Sequence, residues 1–164
     1  GALSGSAVVN ALCGISGGLI GSLILQCFGT RLQSMYGFAF VTLALLALGA
    51  LATTNPWLSL GLLGAIIFFH SAGPGGLGMT IATLSYPPVI RPTGVGFARA
   101  IMRTGAIAGL IFWPMLWGAL KTDAFFWLAI VPFLGFITCV LIKWEPLGAN
   151  VDAEDAQVLA ELEK

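Results

Sequence analysis

Phe125-Phe126-Trp127-Leu128-Ala129-Ile130-Val131-Pro132-Phe133-Leu134-Gly135-Phe136-Ile137-Thr138-Cys139-Val140-Leu141-Ile142 is a run of 18 residues without a charge. A helix crossing the hydrocarbon core of a bilayer needs about 20 mostly apolar residues. The run is bounded by Lys121-Thr122-Asp123 before it and Lys143-Trp144 after it. Working outward from it, four earlier segments read the same way, so the spacing predicts helices over 6–28, 35–51, 57–84, 94–120 and 125–142. The punctuation between them is Gly29-Thr30-Arg31, then Thr53-Thr54-Asn55-Pro56, then Tyr86-Pro87-Pro88, all turn-forming clusters. No strand alternation competes, and in lipid a helix satisfies its own backbone. The expected fold is all-α, a polytopic transmembrane bundle of five spans.

Composition agrees with that reading. The chain has 164 residues, of which 58% are hydrophobic and 9% charged, with seven Lys+Arg, seven Asp+Glu and one His. Its mean hydropathy is +0.98. A soluble domain carries about 25% charged residues, so a soluble enzyme, a disordered chain and a nucleic-acid binder are excluded. The net charge of zero hides an asymmetry, because five of the seven acids (Asp152, Glu154, Asp155, Glu161 and Glu163) follow Gly148. Residues 1–144 form the membrane region and 145–164 an acidic tail, where Val158, Leu159 and Leu162 leave a short amphipathic helix as the alternative to a solvated segment.

With five spans, Arg31, Arg91 and Lys143 fall at one end and Lys121 at the other. The positive-inside bias makes the first end cytoplasmic, so the tail is cytoplasmic and the protein a multi-pass one of the cell (inner) membrane. Cys13, Cys27 and Cys139 have neither metal-ligand spacing nor a disulfide framework, and no metal or cofactor is expected. The opening Gly1-Ala2-Leu3 enters an apolar run at once and reads as a piece of a longer protein.

The five helices differ in kind. The second and fifth are smooth and bulky, suited to lipid, whereas the first, third and fourth are glycine-rich and interrupted by polar residues. Gly14 and Gly18, and Gly17 and Gly21, lie four apart and suit close helix packing. Asn10 needs a partner within the membrane, either a polar cavity or a neighbouring helix. His70 sits deep in the third span and is the one side chain there with an ordinary pKa near neutrality. It reads either as a cavity-side functional group or as a neutral imidazole bonded to a carbonyl. Gly73, Pro74, Gly75 and Gly76 follow it, a set that marks a helix hinge. On the fourth helix Arg99 can snorkel to the surface, while Arg103 lies one turn deeper and needs a partner or water.

Tyr86-Pro87-Pro88-x-x-Arg91-x-Thr93-Gly94-Val95-Gly96-Phe97, followed by Arg103-x-Gly105-Ala106, resembles the loop and helix joining helices ten and eleven of major facilitator superfamily transporters. The closest flavour is the metabolite and aromatic-acid proton symporters. Gly18-Leu19-Ile20-Gly21 through Gly29-Thr30-Arg31 resembles the superfamily turn between helices eight and nine. The resemblance covers nearly all of the chain up to Lys143 and implies helices eight to twelve, the C-terminal bundle of such a transporter. It implies Arg31, Arg91 and Arg103 as gate-side positions. The chain departs from the family at Gln26 and Cys27, where an acid and a base are usual, and at Leu84, where a carboxylate is common. Arg31 and Arg103 are therefore expected to lack the charged partners that the family places near them.

The expected function is that of a fragment of a secondary active transporter, not an enzyme, moving a small organic solute by alternating access. Its expected partners are lipid, a missing N-terminal half, and a small substrate of organic-acid type with proton coupling, with no nucleic acid. The spans hold no carboxylate, so a proton carrier on this chain is His70 or none. An independent five-helix scaffold is the alternative class.

Overall fold

The computed structural model describes residues 2–51, 55–145, 147, 153, 156 and 160. The amphipathic tail segment around Val158, Leu159 and Leu162, and Thr53 and Thr54 of the expected turn, lie outside the described residues. Among those described, all regular structure is helical: α1 (Ala2–Leu51), α2 (Pro56–Ala72), α3 (Pro74–Ser85), α4 (Arg91–Leu120), a 3-10 turn (Lys121–Asp123) and α5 (Ala124–Leu141). Three runs, Ser6–Leu51, Pro56–Ser85 and Arg91–Leu141, are long and apolar enough to cross a membrane.

A straight helix of 50 residues would extend about 75 Å, more than twice a hydrocarbon core of about 30 Å. α1 is not straight. Gly29 breaks it with φ 75° and ψ 166°, a conformation that a residue with a Cβ rarely adopts. The chain folds back there, because Gln33 Nε2 donates to the Gly21 carbonyl at 2.7 Å, whereas a straight helix would hold residues 12 apart at about 18 Å. The arms 2–28 and 30–51 are therefore a helical hairpin. The third run reverses in the same manner at Lys121 (φ 46°), which brings the Trp113 and Phe125 rings to 5.5 Å. The second run bends at Gly73, between α2 and α3, with φ −112° and ψ −113°.

Glycines set the closest contacts. The first arm runs alongside α2, with Gly14 near Ile67, Gly17 on Phe68 and Gly21 on Ala72. A Cβ at Gly17 would lie 2.4 Å from the Phe68 carbonyl oxygen, and one at Gly21 2.5 Å from that of Ala72. Gly18 faces open space, so the pair Gly17 and Gly21 forms the contact and Gly18 stands outside it. The second arm runs antiparallel to α5, with Phe38 against Gly135 and Gly49 against Phe126. Between them Val41, Leu45 and Ala129 are buried, with Ile66, Phe69, Phe125 and Leu128 packed around them. Phe40 stacks on Phe69 at 4.4 Å.

α4 has no buried residue and presents Ile101, Ile107, Leu110 and Met115 outward. Such surfaces are costly in water but not in lipid, where helix association rests on packing and hydrogen bonds. The hydroxyls of Thr42, Thr83, Thr104 and Thr138 donate to the carbonyl four residues back, which removes the cost of placing them at depth.

The glycine contact is testable. Gly21→Ala should lower the thermal stability of the detergent-solubilised protein by about 1–3 kcal/mol, as overpacking does. Gly18→Ala, with nothing within 4 Å to meet, should leave the melting curve where it was.

Candidate functional site

Two polar assemblies stand out from this apolar bundle. The first clasps the Gly29 reversal. The second arm begins at Thr30, and its leading N–H groups have no partners within their own helix. Glu145 supplies them, its Oε1 accepting from Thr30 N at 2.9 Å and its Oε2 from Arg31 N at 3.0 Å. The Thr30 hydroxyl and Leu147 N also donate to Oε1. In return Arg31 Nε donates to the Cys139 carbonyl at 3.0 Å and Nη2 to that of Val140 at 3.1 Å, covering the C-terminal end of α5. An anion thus sits at a helix N-terminus and a cation at a helix C-terminus, both favourable with the helix dipoles. Among the described residues the Arg31 guanidinium bonds no carboxylate, and the backbone carbonyls of α5 serve it in place of a charged partner. Partial burial pushes the Glu145 carboxyl up, but the bonds from Thr30, Arg31 and Leu147 outweigh it and hold the group below its ordinary value.

The same end of the bundle gathers Thr30, Arg31, Ser34, Ser85, Cys139 and Trp144 around a cleft of about 320 Å³. Arg91 opens α4 and donates through Nε to the Tyr86 carbonyl at 3.0 Å. The Tyr86 ring closes over Gly94, where a Cβ would lie 2.6 Å from it. Gln33, buried nearby, donates to the carbonyls of Gly21 and Ala72 at 2.7 and 2.6 Å. Its Oε1 and the Ser34 hydroxyl are buried without partners among the described residues.

The second assembly lies at mid-length. His70, Met79, Arg99, Met102, Arg103 and Ala106 line a cleft of about 530 Å³ between α2–α3 and α4. The α4 contributors follow the spacing i, i+3, i+4, i+7, so they share one face. His70 lies against Gly75, where a Cβ would meet its Nε2 at 2.6 Å. Arg103 is 12 residues beyond Arg91, about 18 Å along the helix. His70 is equally central, 14 residues from Pro56 and 15 from Ser85 in its run. Arg103 has no hydrogen-bond or ion-pair partner among the described residues, and no acid lines the cleft.

The structure therefore brings together His70 and Arg103, and places Arg31 and Arg91 at the other station, by the helix ends. Asn10 is exposed on the first arm, outside the His70 cleft. Gly73, Pro74, Gly75 and Gly76 fall at the junction of α2 and α3, directly below His70. Sequence reasoning missed Gln33 and Glu145. An acid placed two residues after the basic Lys143, and outside the acid-rich segment beyond Gly148, was the available signal for the latter.

The chain is 33% identical over 138 residues to the benzoate transport protein of Acinetobacter baylyi. That alignment takes in 77% of this chain and 28% of the relative, so the chain spans under a third of the protein it matches. No family model matches the chain, and no solved structure does. Helices of membrane-crossing length and a transport relative define a helical membrane protein.

The clasp has a pH signature. Because the Glu145 carboxyl is held below its ordinary value in the folded protein, its contribution is complete above the ordinary carboxylate range and disappears as pH falls through the lowered value. Glu145→Gln should flatten the loss of thermal stability on acidification, and Glu145→Ala should cost about 1 kcal/mol at neutral pH, the usual effect of losing an N-terminal cap. Melting curves of the three proteins between pH 3 and 7 check both.

Proposed function

We propose that the chain forms helices eight to twelve of a major facilitator superfamily transporter, with five membrane crossings in the cell (inner) membrane and a cytoplasmic C-terminus. The hairpin at Gly29 and the reversal at Lys121 support five crossings, since each divides a run too long to cross once. Arg31 and Arg91, at the helix ends, act as gate-side residues. His70 acts in the transport pathway together with Arg103, which the resemblance put on the gate side, and Gly73 to Gly76 act as the hinge; Asn10, exposed outside that cleft, would face a cavity only between this bundle and a second one.

The observation that carries the reading is the mid-depth cleft that joins His70, Arg99 and Arg103 without an acid. An ionisable side chain at membrane depth is costly unless water, a partner or a ligand compensates it. Guanidinium groups suit bidentate binding of a carboxylate. The transported solute is accordingly a small organic acid, in keeping with the benzoate named for the relative. Alternating access follows from rocking this bundle against a second one around the cleft. A scaffold without transport activity is the outcome if the complete protein moves no organic acid.

Uptake of labelled benzoate into proteoliposomes holding the complete protein tests this. Arg103→Gln should raise KM by at least about tenfold, the loss of one charge-assisted pair of roughly 1.5–3 kcal/mol. An unchanged KM would end the proposal for this cleft. Proton coupling through His70 predicts that His70→Ala flattens the pH dependence of uptake between pH 5.5 and 8. An unaltered profile assigns the proton to residues outside this chain.

A further inference from the structure

We propose that Met79 and Met102 are specificity-determining residues, which set the size and shape of the apolar body of the anion that the cleft accepts. The proposal rests on the reading of that cleft as an organic-acid site and goes beyond it, since the arginines account for the charge of a ligand and not for the rest of it.

The cleft divides by chemistry. Arg99 and Arg103, one turn apart on α4, supply the cationic part, and His70 the opposite polar edge. The remaining lining is Met79, Met102 and Ala106. Met102 shares the α4 face with both arginines, and its thioether reaches across to α3. A Cβ built at Gly78 would lie 3.9 Å from Met102 Cε and 4.0 Å from its Sδ. Gly78 adjoins Met79 in sequence, so two thioether side chains from opposite walls line the same cleft. A carboxylate held by a guanidinium would leave its body against these sulfurs and Ala106.

Thioethers suit that position for two reasons. Sulfur makes favourable contacts with the edge of an aromatic ring, and the unbranched methionine side chain changes shape at low cost to follow different outlines. A leucine keeps the volume of methionine and loses the sulfur and much of that adaptability. Ala106, on the same α4 face, leaves room that a larger residue would occupy. Specificity is a difference between two affinities, so the relevant measurement is a ratio between substrates.

The experiment measures uptake of benzoate and of 2-naphthoate by the complete protein in proteoliposomes, together with binding of both acids to the detergent-solubilised protein. Met79→Ala and Met102→Ala should each move the naphthoate-to-benzoate ratio of kcat/KM by about two- to tenfold in favour of the larger acid, on the order of one CH2 group of apolar burial in the space that opens. Ala106→Leu should move it the other way, and Met102→Leu should stay near the parent ratio. Ratios unchanged in Met79→Ala, Met102→Ala and Ala106→Leu, in uptake and in binding, would overturn the proposal. Arg103→Gln should weaken both acids together with their ratio intact. If it leaves both affinities as they were, the organic-acid reading fails first, separately from the methionine assignment.

Discussion

The Gln33 side-chain amide joins three helical segments at one point. Its Nε2 donates to the carbonyls of Gly21, on the first arm, and Ala72, at the end of α2, while its own backbone belongs to the second arm. These bonds need the three backbones close together, and glycine makes that possible. Gly21 lets the first arm approach Ala72, and Gly37 sits against Gly73 and Pro74 with no side chain between. A larger residue at either position would move the backbones apart and remove the acceptors from reach. In lipid there is no hydrophobic force between apolar helices, so small-residue packing and buried hydrogen bonds carry the association. This junction holds α2 against both arms of the hairpin immediately before the α2–α3 bend at Gly73.

The clasp at Gly29 serves a related constraint. A helix end that is not surrounded by water must have its leading N–H and trailing carbonyl groups satisfied by protein. Here the end of α5 and the beginning of the second arm satisfy each other, one through Arg31 and the other through Glu145. Only a residue without a Cβ permits it. At Gly29 the backbone has a positive φ, and a Cβ would sit 2.9 Å from Glu145 Oε2. The reversal, the Glu145 cap on the second arm and the Arg31 cover on the end of α5 are one arrangement that depends on a single glycine.

Much of the helical architecture was legible in the sequence because apolar length is a strong signal and the interruptions are chemically distinctive. Pro74 within a glycine cluster, the prolines after Tyr86, and Gly29 before Thr30 all fall where a helix ends or bends. The glycine contact between the first arm and α2 was readable as spacing, although the choice of Gly17 and Gly21 over Gly14 and Gly18 required the partner's position. Gln33 was not readable. A glutamine near a helix end ordinarily means a solvated surface, and its value here comes from carbonyls 12 and 39 residues away. Glu145 was hidden for a similar reason, since acids near a chain end read as tail until the opposite helix terminus is located. Arg103 was recognisable as an arginine deep in a span, but its meeting with His70 depends on the crossing of α4 over α3.

Charge scarcity has a different meaning once that meeting is known. The region up to Leu141 contains one acid, Asp123, which lies in the turn after α4 and not in the cleft. The arginines at the helix ends need no acid, because carbonyls and headgroup water can serve them. Arg103 is too far along α4 for that, and Arg99, one turn away, adds a second cation and so like-charge repulsion. Counter-charge for the cleft must come from outside these helices. A fixed carboxylate would neutralise the site permanently and leave nothing for a ligand to do. A diffusible anion neutralises it only while bound, so the difference between the empty and occupied cleft is itself a bias on conformation. Under the proposed transport function that bias is what a carrier would use, and the lack of acids lining the cleft of His70, Arg99 and Arg103 among the described residues is consistent with it.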